Sequence, residues 1–300
     1  MRSLVLGAGL IGAALTTVLV QRGDDVTVAT RSATPLVGAR AIRLDVSDAT
    51  ALTRAAAGVD TIFVCTNPPY PEWGSAWPPI FAAVVQGARA SGAAVVVMGN
   101  LYPYGHASMP MTEHSPELTT ESKGLVRKAG WETLRSSGIR AVEVRASDYF
   151  GPGSTATAHI GARFFVPILA GRTASVVGDP AAAHSWAYLP DIAATLAAAS
   201  SYKGDWGRVW HVPSATDDSR VELARRINER FGTTGRVKAL PQALLRTVGL
   251  VSPMLREVYR SSYQFTAPFI SDASETQHLL GVTATPSDDA LFATAESYRD

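Results

Sequence analysis

Residues 2–30 read RSLVLGAGLIGAALTTVLVQRGDDVTVAT, and this stretch decides the fold. An apolar run, Ser3 to Leu6, leads into Gly7-Ala8-Gly9-Leu10-Ile11-Gly12, and from Ile11 to Gln21 the apolar side chains recur every three or four positions. The pattern predicts a strand, a glycine turn, a helix and, at 25–29, a second strand. A glycine loop at the start of such a βαβ unit of about 30 residues is typical of dinucleotide binding.

Each glycine of this loop has its own physical role. Gly7 permits the tight turn, Gly9 lets the backbone approach a pyrophosphate, and Gly12 lets the helix pack closely on the strand. The helix N-terminus attracts the anion. We therefore expect these glycines, with Leu10 and Ile11 between them, to bind a dinucleotide; the alternative is a glycine turn that serves packing alone.

The first half of the chain repeats the alternation of strand and helix. Apolar runs predict further strands at 41–44, 61–65, 94–98 and 140–144, and helical periodicity predicts helices at 49–57, 79–91 and 124–137. Parallel neighbours need a crossover connection. The order therefore predicts an α/β fold, a doubly wound parallel sheet of the Rossmann type with helices on both faces.

After Gly151-Pro152-Gly153 the rhythm changes and prolines interrupt the chain often. Helices at 159–170 and 221–231 and short strands at 174–177 and 236–240 predict a smaller α+β C-terminal substrate-binding cap. The helix after Pro190-Asp191 and the strand 208–212 are expected to return to the main sheet. We predict a nucleotide-binding domain at 1–150, with 186–212 returning to it, and a cap at 151–185 and 213–300.

The end of the second predicted strand bears on the choice of cofactor. Proteins that prefer NAD place an acidic residue about 20 residues after the glycine loop, on the ribose 2′-hydroxyl. Here the sequence is Ala29-Thr30-Arg31-Ser32, without an acid. Because a guanidinium fork matches a 2′-phosphate, Arg31 favours NADP over NAD. A solvent-exposed loop arginine is the alternative interpretation.

Ligands of such sheets bind beyond the carboxyl ends of the strands. Asp45-Val46 and Thr66-Asn67 follow the third and fourth predicted strands and are expected to contact the cofactor, with plain turns as the alternative. The loop from Pro68 to Trp73 comes next. Its aromatic residues favour an apolar or aromatic substrate, or else a surface-packed loop.

Composition and charge exclude several classes of function. The chain has 300 residues, 46% of them hydrophobic, and its 27 basic and 26 acidic residues leave a formal charge of +1. Without a broad basic field, neither nucleic acid nor an anionic membrane is expected as a partner. No signal peptide precedes the first strand, and no apolar run is long enough to span a membrane. The expected partner is a small-molecule substrate, and the expected location is cytoplasmic.

The cysteine and histidine contents argue against a metal site. Cys65 is the only cysteine, which excludes an internal disulfide framework and a cysteine-based zinc site and fits a buried structural thiol in a reducing compartment. The six histidines show no metal-binding spacing, so no metal is expected. His184 is a candidate for substrate contact or for a structural role.

Several stretches resemble the extended or atypical short-chain dehydrogenase/reductases, the NAD-dependent epimerase/dehydratase family. Besides the glycine loop they are Tyr104-Gly105, Ser122-Lys123, the segment from Val144 to Gly153, the segment from His184 to Ala193, and Val209 to Pro213 with the following helix that carries Glu222-Leu223-Ala224. They cover nearly the whole chain in the family's order. The resemblance implies an NAD(P)-dependent enzyme, a monomer or a homodimer, whose dimers meet through helices such as those predicted at 79–91 and 124–137.

The resemblance also implies a catalytic set, and here the sequence departs from it. Family members use a serine and a Tyr-x-x-x-Lys pair, in which the lysine binds the nicotinamide ribose and lowers the tyrosine pKa for general acid/base catalysis. Lys123 matches the lysine, but Thr119 stands at the tyrosine position and Asn100 at the serine position. A threonine hydroxyl is too weak an acid to replace a phenol.

Three replacements for the missing tyrosine stay open. Tyr102 or Tyr104 supplies the phenol, Asp148 or Tyr149 protonates the substrate, or no proton transfer occurs at this position. Asn100 can hydrogen-bond a carbonyl oxygen in each case.

The leading function is an NADP-dependent oxidoreductase acting on a small, partly apolar carbonyl, imine or alcohol. The alternatives are a redox-neutral epimerase, dehydratase or cyclase that retains its cofactor, and a non-catalytic regulator that senses NADP.

Overall fold

The structure is a computed structural model and describes residues 1–154, 158–241 and 253–299. Its strands are β1 Arg2–Leu6, β2 Asp25–Thr30, β3 Arg40–Arg43, β4 Thr61–Val64, β5 Ala94–Asn100, β6 Ala141–Ala146, β7 Tyr149–Phe150, β8 Thr173–Val176, β9 Trp186–Tyr188, β10 Val209–His211, β11 Ser214–Thr216 and β12 Arg236–Ala239. Its helices are α1 Leu10–Gln21, α2 Ala49–Ala55, α3 Trp73–Ser91, α4 Ser122–Ser136, α5 Ala162–Leu169, α6 Leu189–Ala199, α7 Arg220–Phe231, α8 Pro253–Arg260, α9 Ser274–Leu280 and α10 Ser287–Glu296. Short 3₁₀ turns lie at Tyr70–Glu72, Tyr102–Tyr104 and Ser262–Phe265.

Seven of these strands form one parallel sheet in the order β3-β2-β1-β4-β5-β6-β10. The winding direction reverses between β1 and β4, and this reversal opens a crevice at the carboxyl ends of the strands. The predicted doubly wound Rossmann sheet is confirmed.

The sheet is covered on both faces because its side chains alternate between two apolar layers. Leu4 and Leu6 point into the layer shared with α2, α3 and α4, whereas Val5 points into the layer shared with α1 and α6. This double burial explains why the strands read as continuous apolar runs.

A second core belongs to the smaller part of the molecule. It contains Phe164 and Phe165 of α5, Trp186 of β9 and Leu223 of α7. Two small sheets accompany it, β7-β9-β11 and β8-β12. The domain boundaries stay a prediction, and α9, which they assign to the cap, packs on β10 and α6 of the large sheet.

The predicted elements agree with the observed ones within about two residues, with two corrections. Helix α3 begins at Trp73 rather than at residue 79. The chain enters it through the 3₁₀ turn at Tyr70–Glu72, and Trp73 and Trp77 are buried against the sheet, so the helix continues through Pro78 and Pro79. Helix α5 begins at Ala162 rather than at residue 159, after Gly161.

Among the described residues, no helix is long and apolar enough to cross a membrane.

Candidate active site

A cavity of about 220 Å³ lies at the carboxyl edge of the sheet, beside the end of the glycine loop. Its walls come from α1, α3 and α4, from the carboxyl end of β5, from the loops after β4, β5 and β6, and from the segment that follows α8. The residues predicted from the sequence that line it are Gly9, Leu10, Ile11, Thr66, Asn67, Asn100, Tyr102, Asp148 and Tyr149.

The glycine loop has the geometry of a pyrophosphate cradle. Gly7 has a φ of +107°, and a Cβ there would lie 2.9 Å from the backbone nitrogen of Thr66. A Cβ on Gly12 would lie 2.1 Å from the Gly7 carbonyl oxygen, so only glycine lets α1 pack this closely. A Cβ on Gly9 meets no heavy atom within 4 Å, which leaves open space at the N-terminus of α1. Backbone N–H groups and the positive end of the helix dipole face this space, so the residues fit an anionic pyrophosphate.

The opposite end of the predicted cofactor site is built by the loops after β2 and β3. Arg31 is exposed directly after β2. Asp45 accepts hydrogen bonds from the backbone nitrogen (3.0 Å) and the hydroxyl (2.7 Å) of Ser47. These bonds and the nearby Arg31 charge lower the pKa of Asp45. Val46 packs partly buried against the layer of α2, α3 and α4.

Two tyrosines meet above the carboxyl end of β5. The Asn100 Oδ1 atom accepts a hydrogen bond from the backbone nitrogen of Tyr102 at 3.1 Å, which orients both residues. The hydroxyls of Tyr102 and Tyr70 lie 3.2 Å apart. Burial raises the pKa of both phenols, that of Tyr102 well above its usual value, so both carry their protons at neutral pH.

Lys123 lies on the first turn of α4 and is buried. Its ammonium donates to the Glu257 carbonyl at 2.9 Å and to the Ser261 hydroxyl at 3.0 Å, and it lies 4.3 Å from the Tyr70 ring centroid. Burial lowers the pKa of Lys123 to about 8. In this arrangement the ammonium joins α4 to the end of α8, and its contact with a nicotinamide ribose stays a prediction.

Tyr104 and Thr119 do not line the cavity. The Tyr104 hydroxyl lies 2.7 Å from His211 Nε2, and its ring lies beneath Arg145, whose Cζ is 4.8 Å from the ring centroid. Burial raises the pKa of Tyr104 to about 12. The Thr119 hydroxyl accepts from the Glu121 backbone nitrogen at 3.3 Å. The structure therefore brings neither hydroxyl to the site, in contrast to the expectation for Tyr104.

Asp148 presents a carboxylate to the cavity. His184 Nε2 lies 3.1 Å from one oxygen of this carboxylate, and His159 Nε2 lies 3.9 Å from the other. Burial acts to raise the pKa of Asp148, but the charges of His159, His184 and Arg220 outweigh it, so the pKa is lowered. At neutral pH the group is thus a carboxylate, and the expectation that Asp148 or Tyr149 protonates the substrate stays a prediction.

His184 is buried and supports Asp148 from outside the cavity lining. Its Nδ1 atom lies 3.2 Å from the carbonyl oxygen of Gln264, so both ring nitrogens face acceptor oxygens. The ring thus joins Asp148 to the segment that follows α8.

Several lining residues were missed by sequence reasoning. These are Arg127, Gln264 and Phe269, whereas Tyr70, which also lines the cavity, belongs to the aromatic loop already expected at the site. Arg127 follows Lys123 by four positions, one helical turn, so its place on the same face of α4 was predictable. Gln264 and Phe269 lie outside any segment with regular sequence periodicity, and only the tertiary fold brings them to the cavity.

Cys65 lines the cavity, and burial raises the pKa of its thiol to about 12. The thiol therefore stays protonated and is unsuited to act as a nucleophile. Within the described ranges, no group of three or more histidine, cysteine, aspartate or glutamate residues could hold a metal ion. The expectation of no metal stays a prediction.

The fold, the glycine cradle and the cavity beside it define a dinucleotide-binding α/β enzyme. A family model described as the NAD dependent epimerase/dehydratase family matches residues 3–212. The chain belongs to this family, which confirms the resemblance inferred from its sequence. A nicotinamide cofactor fits this membership.

Solved structures with the same fold include complexes of sugar-nucleotide enzymes. MoeE5 in complex with UDP-glucuronic acid and NAD is 21% identical, with a TM-score of 0.79 over 100% of this chain and 99% of that one. UDP-glucuronic acid 4-epimerase from Bacillus cereus in complex with NAD is 16% identical, with a TM-score of 0.81 over 100% and 96% of the two chains. The DesIV double mutant, a dTDP-glucose 4,6-dehydratase from Streptomyces venezuelae, is 21% identical, with a TM-score of 0.79 over 100% and 97%. No curated protein matches the chain.

Proposed function

We propose that the protein is an NADP-dependent oxidoreductase that interconverts an alcohol and a carbonyl, or an amine and an imine, in a small and partly apolar substrate. The observation that carries the proposal is the cavity beside the glycine cradle, whose walls include the aromatic rings of Tyr70, Trp73, Trp77 and Tyr102. Aromatic walls with a few convergent polar groups suit a partly apolar ligand.

The bound cofactor supplies or accepts the hydride. In this proposal Gly7, Gly9 and Gly12 hold its pyrophosphate. Arg31 pairs with the 2′-phosphate of NADP.

Asn100 and Asp148 act on the substrate. Because the Asn100 Oδ1 atom is engaged by Tyr102, its amide N–H groups are the part available to bind a carbonyl oxygen. The Asp148 carboxylate accepts a proton or stabilises a positive charge such as that of an iminium.

A redox-neutral epimerase or dehydratase is the second candidate, and family membership favours it. MoeE5 and the B. cereus epimerase have been captured with sugar nucleotides, so their ligands are natural test substrates. Membership in an enzyme family also argues against the non-catalytic regulator.

The reduced-nicotinamide absorbance separates the two enzymatic candidates. The purified protein is mixed with NADPH and a panel of aldehydes, ketones and imines, and separately with UDP-glucuronic acid and dTDP-glucose. Net consumption of NADPH with the first panel supports the oxidoreductase. Conversion of a sugar nucleotide without net absorbance change contradicts it and supports the second candidate.

The cofactor preference is tested by Arg31→Glu. We expect NADP affinity to fall about 10- to 100-fold, because a charge-assisted hydrogen bond of roughly 1.5–3 kcal/mol is lost, while NAD affinity changes little. Calorimetric titration measures both. Arg54→Glu, an equal charge change at an exposed position in the last turn of α2, is the matched control. Unchanged NADP affinity in Arg31→Glu would show the preference to be wrong.

A further inference from the structure

The tyrosine that the family places four residues before its lysine is absent here, and two other phenols lie beside that lysine. Thr119 occupies the family's tyrosine position but is buried and lies outside the cavity lining. Its hydroxyl packs closely on α4, since a Cβ on Gly124 would lie 2.1 Å from the Thr119 hydroxyl oxygen. A proton donor at the site must therefore come from another element.

Tyr70 and Tyr102 reach the cavity from two separate loops. Tyr70 lies on the 3₁₀ turn after β4, and Tyr102 begins the 3₁₀ turn after β5. Their hydroxyls are 3.2 Å apart, within hydrogen-bond reach, and both residues line the cavity. The backbone of Tyr102 is held by Asn100, which also lines the cavity.

The Lys123 ammonium lies against both rings. It is 4.3 Å from the Tyr70 ring centroid and 5.1 Å from the Tyr102 ring centroid, in a buried site where charge is poorly screened. A negative charge that forms on either phenol oxygen is stabilised by this cation. Lys123 thus lies beside two tyrosine rings, although the residue four positions before it is Thr119 and not a tyrosine.

We propose that Tyr102, with Tyr70 hydrogen-bonded behind it, is the proton donor that replaces the missing tyrosine, and that Lys123 stabilises the resulting phenolate. The inference rests on the proposed oxidoreductase function. As a hydride adds to the substrate carbonyl carbon, the C=O π electrons move to oxygen, which takes the Tyr102 proton. The O–H electron pair stays on the Tyr102 oxygen. Tyr70 then passes its proton to Tyr102 and is reprotonated by water.

The protonation states agree with this direction of transfer. Both phenols have raised pKa values because of burial, so each enters the reaction as an acid and not as a phenolate base. Asp148 lies in the same cavity with a lowered pKa and is not a competing donor at neutral pH.

The test uses Tyr102→Phe, Tyr70→Phe and the near-isosteric control Thr119→Val, each with the carbonyl substrate that the wild-type protein turns over. We expect kcat to fall about 100-fold or more for Tyr102→Phe and about tenfold for Tyr70→Phe, with little change in KM or in NADP affinity. Thr119→Val is expected to keep its kcat. Wild-type kcat in Tyr102→Phe, or a loss of kcat in Thr119→Val as large as that in Tyr102→Phe, would overturn the inference.

A second measurement needs neither substrate nor cofactor. The tyrosinate absorbance of the cofactor-free protein is followed against pH, and the part lost in Tyr70→Phe and Tyr102→Phe belongs to the pair. Lys123→Arg should move this part to lower pH, because a guanidinium stays charged at the high pH where the phenols ionise, whereas Lys123, with a pKa of about 8, is already neutral there. If the wild-type protein reduces no carbonyl, the proposed function fails, and this titration still decides whether the three side chains act together: an unmoved pair would contradict the inference.

Discussion

The glycines of the loop differ in the space around them, and this difference separates a packing role from the proposed ligand-binding role. Gly12 lies against the Gly7 carbonyl, whereas Gly9 faces open space. Asp148 shows the same separation by charge: burial alone would favour its neutral form, but His159, His184 and Arg220 keep it ionised. The role of a residue thus depends on its neighbours as well as on its type.

A matched pair of alanine substitutions tests this division. Gly9→Ala should leave the free energy of unfolding nearly unchanged and weaken NADP binding at least about tenfold, because the methyl group fills the pyrophosphate space. Gly12→Ala should destabilise the protein by roughly 1–3 kcal/mol, because its Cβ would lie 2.1 Å from the Gly7 carbonyl oxygen. Urea unfolding and calorimetric titration measure the two effects, and full NADP affinity in Gly9→Ala would contradict the proposed cradle.

Helices α3 and α4 together build one wall of the cavity, and their spacing depends on a glycine. A Cβ on Gly130 would lie 2.0 Å from the Phe81 ring, so α4 approaches α3 as closely as a bare backbone permits. Trp77 stacks on Phe81 with centroids 5.0 Å apart, and Arg127 lies 4.4 Å from the Trp77 ring centroid. This contact sets the position of the cavity wall.

Gly130→Ala should therefore be destabilising, by about 1–3 kcal/mol, although alanine favours helix more than glycine does. Gly74 in α3 is the matched control, because a Cβ there meets nothing within 4 Å. Gly74→Ala should stabilise the protein by roughly 0.5–1 kcal/mol. Adding Phe81→Leu to Gly130→Ala should recover part of the lost free energy of unfolding, which urea unfolding measures. Equal effects of the two alanine substitutions would show that helix packing is not the cause.

At the scale of the whole molecule, contacts between distant parts of the chain hold the smaller part on the large sheet. Lys123 bonds to residues 134 and 138 positions away, at the end of α8. The Asp191 carboxylate on α6 accepts from the backbone nitrogen and hydroxyl of Thr285 at 2.8 and 2.7 Å. The cavity is lined by residues of both the large sheet and the segment after α8, so its shape depends on how these two parts pack together.

The Lys123 contact predicts a pH dependence of stability. Burial lowers the pKa of Lys123 from 10.5 to about 8, so between these values the unfolded chain binds more protons than the folded one. The free energy of unfolding should rise as the pH passes through the folded-state pKa, by about 1 kcal/mol between about pH 7 and about pH 9. Lys123→Met should lack this increment. Urea unfolding of both proteins at the two pH values gives the difference, and parallel pH dependences would contradict the lowered pKa.

Much of the fold was predictable because its signals are local. The apolar strands, the glycine turn and the periodicity of α1 each lie within a few neighbouring residues, and strand order then follows from the rules of parallel crossovers. The start of α3 was missed because Pro78 and Pro79 suggest a helix boundary, while the burial of Trp73 and Trp77 against the sheet extends the helix beyond it.

The site was predictable only in part. Gly9, Asn100, Tyr102 and Asp148 all line the cavity, and each was predicted to do so because it follows the end of a predicted strand. Nothing in the sequence distinguishes Tyr102 from Tyr104, two residues apart on one turn. The structure separates them, because Tyr102 lines the cavity and the Tyr104 hydroxyl is hydrogen-bonded to His211.

The sequence by itself determined the doubly wound sheet, the dinucleotide cradle and the departure from the family pattern at Thr119, because each depends on residues close together in the chain. Only the tertiary structure decided which groups face the cavity and which proton state they hold. Burial and charge at a site are set by elements distant in sequence: Tyr70 beside Tyr102, His184 beside Asp148, and the end of α8 over Lys123.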